Sequence, residues 1–301
     1  MRVRQGEHVV FGWYIVAYLF LAGTGAGAFF AAACACVWDA VRRSDASERT
    51  LRTCQVGFYV APCLVVLAAL LLLLDLGNAQ RAWLVLLTPL QSVLSMGAWL
   101  VALLAAVSGV AAACGLASSS VPRTLLWACC IVGAPCALGV MGYTGLLLSD
   151  MVSIDFWRTP WLIALFVASS LSCGIAVIVA IDAVLAPSSY EVSRELWRTG
   201  AVLGCVEAAV LAAFLIAQSG FTETARASCE LLVGGALAPA FWGGVVAVGL
   251  ALPLAAHAAG CLLPGRATMV GASVGVLVGG LLLRYCIVAA ASFSPLALSA
   301  I

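Results

Sequence analysis

The chain has 301 residues, 64% of them hydrophobic and only 9% charged, with a mean hydropathy of +1.15. Soluble domains run at roughly 45–50% apolar and about 25% charged, so this composition excludes a soluble globular domain and predicts a polytopic membrane protein. The net charge of +1 supplies no basic patch of the kind that nucleic acid needs.

A helix needs about 20 apolar residues to cross a bilayer. Eight such runs are present, over 12–38, 56–76, 92–114, 125–148, 160–185, 199–219, 231–257 and 268–292. None shows the apolar/polar alternation of barrel strands. The prediction is an all-α integral membrane protein with eight transmembrane helices in two four-helix bundles, residues 1–150 and 151–301. The first run has basic starters, Arg2 and Arg4, and an Ala-Cys-Ala site at 33–35. Its apolar part exceeds the roughly 7–15 residues of a signal core, so a retained span is expected. The longest polar segment, Asp39–Thr53, is too short to build a core of its own.

With eight spans, both termini fall on one face. That face carries Arg2, Arg4, Arg81, Arg158 and Arg226, and the opposite face carries Arg42, Arg43, Arg49, Arg52, Arg123, Arg194, Arg198 and Arg266. There is no lysine, and Arg284 lies inside the last span. The positive-inside rule then predicts a cytoplasmic membrane location with both termini on the external face.

In span one, Gly23 and Gly27 stand four apart, the spacing of a close helix crossing. Trp13, Tyr14 and Tyr18 near its outer end fit an aromatic belt, or the walls of a site for a ring-shaped ligand. The stretch 75–99 is the most informative. It starts at Asp75 after an apolar run, crosses a turn with Arg81, passes Pro89, and enters the third span with Ser92 and Ser95. The fourth span ends in Met141-Gly-Tyr-Thr-Gly-Leu-Leu-Leu-Ser149. The outer ends of spans one to four therefore bring Trp13/Tyr14, Asp75/Arg81, Ser92/Ser95 and Tyr143/Ser149 to one level of the membrane. Polar groups at that depth are costly unless paired or used.

Span five ends at Asp182 near the cytoplasm, and span six carries Glu207 about 12 Å in from its cytoplasmic start. Pro239 is expected to kink span seven. In span eight, Gly271, Gly275 and Gly279 form a small-residue stripe before Arg284, about 12 Å below the external face. A direct Glu207–Arg284 bridge is therefore not expected, and Asp75 or a ligand oxygen is the expected partner of Arg284. The 13 cysteines lie mostly in apolar runs without a Cys-x-x-Cys pair, so neither a zinc site nor an iron–sulfur cluster is expected in this chain. The two histidines, His8 and His257, fall on opposite sides of the bilayer, so no haem is expected.

Several motifs together carry a resemblance. They are Asp75-Leu-Gly with Arg81 and Pro89, Ser92-x-x-Ser95-x-Gly97-x-Trp99, Tyr143-Thr-Gly-x-Leu-Leu, Phe241-Trp-x-Gly-Val-Val246, and Gly279-Gly-Leu-Leu-Leu-Arg284-Tyr. In order and spacing this set resembles the polysulfide-reductase membrane-subunit family, NrfD/PsrC type. The resemblance implies a quinone-binding anchor that exchanges electrons between menaquinone or ubiquinone and a four-cluster, ferredoxin-like iron–sulfur subunit. That subunit in turn serves a catalytic, molybdopterin-type subunit. It also implies that Tyr143 contacts the quinone headgroup and that catalytic or proton-handling roles fall on Tyr143, Asp75, Arg284 and Glu207. The shared outer level of spans one to four adds Tyr14, Tyr18, Arg81, Ser92 and Ser95 as expected cofactor-binding residues beside Tyr143. The sequence departs from the family's pattern in span one, where an Asn or His is common and Phe11, Trp13, Tyr14 and Tyr18 stand here. It also has Leu94 in place of a common Met and Ala291 in place of a Gly. Two other functions fit the composition: a transporter of a small solute or ion, and a structural anchor without quinone.

Overall fold

The computed structural model describes residues 12–42, 48–75, 92–116, 123–151, 153–185, 190–259 and 265–291. Among them every regular element is helical. The long helices are α1 (Trp13–Arg42), α2 (Glu48–Asp75), α3 (Val93–Leu116), α4 (Arg123–Ser149), α5 (Pro160–Leu185) and α6 (Tyr190–Ser219). A short helix α7 (Glu223–Val233) follows, then a π-helical segment (Pro239–Ala251) that runs into α8 (Leu252–Ala259), and finally α9 (Arg266–Ala289). Eight stretches are long and apolar enough to cross a membrane, with the π segment and α8 together making the seventh.

The seventh span differs from the sequence expectation. Residues 231–233 belong to α7, whose C-terminal cap is Gly234, and the span itself begins at Pro239. Pro239 is thus the first residue of a helix rather than a kink inside one. Proline is favoured there because the missing N–H has no intrahelical partner at that position. α7 is started by Thr222, whose hydroxyl accepts from the Ala225 amide at 3.1 Å, a side-chain cap of the usual kind.

α1 and α5 are the most enclosed spans, with 78% and 72% of their apolar windows buried against 17% for α6. α1 packs on α2, α4, α5 and α9, and α5 packs on α1, α4, α6 and α9. Glycine permits these approaches. A Cβ at Gly27 would sit 2.0 Å from the Ser170 carbonyl oxygen, and one at Gly174 would sit 2.2 Å from the Gly27 carbonyl carbon. The stripe on α9 works the same way, since a Cβ at Gly279 would fall 2.2 Å from Gly249 Cα of the π segment. Two bare backbones in contact gain dispersion energy over their length without the desolvation drive that water would supply. Large aliphatic side chains such as Leu70, Leu74, Leu103, Ile131, Val202 and Ile216 are exposed on the outside, as a lipid-facing surface requires.

Between α4 and α5, the turn Asp155–Trp157 is tied down. Ile154, Phe156 and Trp157 are buried there, and Trp157 Nε1 donates to the Ile287 carbonyl at 3.0 Å. Gln218 at the end of α6 donates to the carbonyls of Asp155 and Phe156 at 3.3 and 2.5 Å. Thr224 of α7 adds a bond to Asp155 Oδ2 at 3.0 Å.

Candidate functional site

Three buried polar features are built on the central helices. The first joins α1, α3 and α4. Tyr18 of α1 is 0% exposed and Tyr143 of α4 is 2% exposed. Their hydroxyls face one another without a regular hydrogen bond, and neither has another partner among the described residues. A buried phenol normally finds a partner, and here each hydroxyl has the other beside it. Tyr143 rests on Gly97 of α3, where an added Cβ would meet the ring directly. The next residue, Thr144, turns its hydroxyl back onto the Met141 carbonyl at 2.6 Å and so spends its polarity within the helix.

Two other expected members, Ser92 and Ser95, lie at the start of α3. Ser95 is buried. Ser92 is exposed, and its hydroxyl accepts from the Ser95 amide at 3.1 Å, which caps the start of α3. Tyr14, one turn before Tyr18, is 52% exposed. Trp13 beside it stacks on Tyr285 of α9 with ring centroids 5.1 Å apart and planes 8° apart. The backbone of Asp75 ends α2, but its side chain, Arg81 and Pro89 lie outside the described residues.

The second feature surrounds Arg284, which is 0% exposed. Its Nε donates to the Leu19 carbonyl at 3.2 Å, and Nη1 donates to the Gly280 carbonyl at 2.8 Å and Ser169 Oγ at 3.2 Å. Nη2 donates to Ser170 Oγ at 2.9 Å. The guanidinium also lies over the rings of Phe166 and Phe20, at 5.4 and 5.7 Å, a favourable place for a cation. Gly23 makes room for it, because a Cβ there would come within 3.0 Å of Nη2 and 2.4 Å of Ser170 Oγ. The Asp75 side chain, an expected partner, lies outside the described residues. Among the described residues Arg284 is held by two carbonyls and two serine hydroxyls and forms no ion pair with a carboxylate.

Glu207 of α6 is the third feature and connects to the second. It faces Ser169 and Ser172 of α5, so Ser169 stands between Glu207 and Arg284. No direct Glu207–Arg284 ion pair forms among the described residues. Glu207 also lines a cavity of about 30 Å³ with Ser172, Trp197, Ser273 and His257, and that volume admits a water molecule or two. Ser172 Oγ is buried there beside Glu207, without a regular hydrogen bond among the described residues. At the far end, His257 is held between the Pro253 and Trp197 carbonyls, at 2.5 and 2.8 Å, and stacks on the Trp197 ring at 3.8 Å. Asp182 is buried but does not line this cavity.

The residues that link Arg284 to Glu207 were not singled out in the sequence. Their signal is the run Ser169-Ser-Leu-Ser-Cys173 inside an otherwise apolar span. Three hydroxyls in four residues of a membrane helix need partners, and here two of them hold the arginine. Among the described residues no group of three or more His, Cys, Asp or Glu side chains is placed to hold a metal.

Eight apolar helices with buried polar clusters between them define a multi-pass membrane protein. Residues 2–295 match the family model for Polysulphide reductase, NrfD. The sequence is 31% identical over 279 residues to the C chain of polysulfide reductase from Wolinella succinogenes, an overlap of 85% of this protein and 86% of that one. The chain belongs to the NrfD polysulphide reductase family.

Proposed function

We propose that this chain is the quinone-reactive membrane anchor of a respiratory oxidoreductase complex. In this reading it passes electrons between a menaquinone or ubiquinone pool and a four-cluster iron–sulfur subunit, which serves a catalytic subunit of the molybdopterin type. The observation that carries the reading is the pair of buried phenol hydroxyls, Tyr18 and Tyr143, lacking other partners. A phenol can donate to a quinone oxygen or accept from a quinol hydroxyl, so the residues present fit that ligand. The relative's name, which makes it one of several polysulfide reductase subunits, supports a role within a multisubunit reductase.

Oxidation of a quinol releases two electrons and two protons. Tyr143 binds the headgroup oxygen and Tyr18 orients it, while the enclosing helices exclude water. The buried set Arg284, Ser169, Glu207 and the small cavity towards His257 supplies a proton path through the second half of the chain, since buried carboxylate and histidine groups in a membrane mark relays. In this reading Asp75 handles protons and Arg81 contributes to headgroup binding. The partner subunits dock on the external face of the cytoplasmic membrane.

The test is quinol oxidation by the purified complex. Tyr143→Phe should lower turnover by about 10²-fold or more while the complex still assembles, the range expected for a lost proton-transfer group. Unchanged turnover with full assembly refutes the headgroup role. Glu207→Gln should slow proton uptake or release, measured with a pH indicator in proteoliposomes, and equal proton stoichiometry and rate refute the relay.

A further inference from the structure

Gly97 lies on α3 where that helix meets α4. A methyl group built on it lands 1.7 Å from Tyr143 Cζ and 2.1 and 2.2 Å from its Cε1 and Cε2. These are the hydroxyl-bearing carbon and its two neighbours, so the polar end of the phenol fills the space that any side chain at 97 would occupy. The phenol hydroxyl also faces that of Tyr18, which is itself fully enclosed. The ring thus lies directly on bare backbone at Gly97, with its hydroxyl beside a second tyrosine.

We infer that Gly97 is a positioning residue that sets the Tyr143 hydroxyl beside the Tyr18 hydroxyl. The inference rests on the reading of Tyr143 as the headgroup contact. A methyl at 97 forces the ring from 1.7 Å to at least the 3.4 Å of an ordinary contact, and the hydroxyl moves with it. A group that exchanges a proton must lie within about 2.6–3.2 Å of its partner, and a misplacement of about 1 Å costs on the order of 10²-fold in rate. Another glycine of the same α3–α4 contact behaves differently. A Cβ at Gly139 would meet Leu100 side-chain carbons, the nearest at 3.3 Å, and a leucine tip can yield a few tenths of an ångström.

The experiment uses the full-length chain, both in its complex and reconstituted alone in lipid with tyrosine labelled by 13C at Cζ. Gly97→Ala, Gly139→Ala, Tyr143→Phe and the double variant Gly97→Ala/Tyr143→Phe are compared. The Tyr143 Cζ resonance, identified as the one lost in Tyr143→Phe, should shift in Gly97→Ala and stay in place in Gly139→Ala. Quinol turnover should fall by about 10²-fold in Gly97→Ala, mainly in kcat. The double variant should lie within about twofold of Tyr143→Phe alone, because the displaced hydroxyl is already gone. An unmoved resonance in Gly97→Ala overturns the inference, as do losses that multiply in the double variant. A shifted resonance with wild-type turnover in Tyr143→Phe leaves Gly97 as the positioner of the phenol and removes the headgroup reading instead.

Discussion

Replacing Arg284 by lysine isolates what the guanidinium fork contributes. The charge is kept, so the cost of holding a cation inside the membrane is unchanged to first order. The geometry is not kept. Arg284 donates to four separate acceptors, the carbonyls of Leu19 and Gly280 and the hydroxyls of Ser169 and Ser170. An ammonium has three donors on a single compact head, so at least one bond is lost. Hydrogen bonds to charged groups contribute about 1.5–3 kcal/mol each, and the folded-to-unfolded ratio should fall by roughly ten- to hundredfold. The assay is unfolding by sodium dodecyl sulfate in mixed micelles, followed by circular dichroism for Arg284→Lys and the wild type under the same lipid conditions. A variant within about 0.5 kcal/mol of wild type, the range of an ordinary surface substitution, would refute the claim that Arg284, through its three contacts to Leu19, Ser169 and Ser170, holds α1, α5 and α9 together.

Other consequences can be measured in the same way. Gly27→Ala must open the α1–α5 crossing, since its Cβ would lie 2.0 Å from the Ser170 carbonyl oxygen, and should destabilise by about 1–3 kcal/mol. Gly109→Ala meets nothing within 4 Å and should gain up to about 1 kcal/mol from helix propensity; equal behaviour of the two variants would contradict the packing argument. Gln218→Leu removes both bonds to the Asp155 and Phe156 carbonyls, so amide hydrogen exchange over 154–157 should speed up, and an unchanged rate would show that Gln218 does not clamp the turn. Thr222→Ala deletes the cap of α7 at about 1 kcal/mol, which should appear as faster exchange at Ala225.

Much of the architecture is legible in the sequence because lipid is an undemanding solvent to read. Each span must be apolar over a set length and satisfy its own backbone, so seven of the eight spans are found within a few residues of their sequence positions. The exception is informative. Hydropathy continues smoothly from Leu231 to Leu237, but Gly234, Gly235 and Pro239 divide that run into an outer helix and a span. Glycine weakens the helix end, and proline favours a new start. The site was legible in part. Tyr143, Arg284 and Glu207 stand out as polar groups in apolar surroundings, and motif order relates them to a family. Ser92 carries the same signal, yet its hydroxyl serves the start of α3, because a hydroxyl at a helix start has a local use that spacing alone does not separate from a ligand contact.

By itself, then, the sequence determined that this is an eight-span, all-helical membrane protein of the NrfD polysulphide reductase family, with intramembrane charges that need partners. Composition, span length and motif order are local properties, present before any folding takes place. Only the tertiary structure decided which groups meet: Tyr18 with Tyr143 over Gly97, Arg284 with the serines of α5, and Glu207 with a small cavity ending at His257. Those encounters depend on how closely α1 and α5 approach, on helix rotation about each axis, and on the few glycines at which one backbone lies on another. The same residue types at the same depths, rotated by a third of a turn, would face lipid instead.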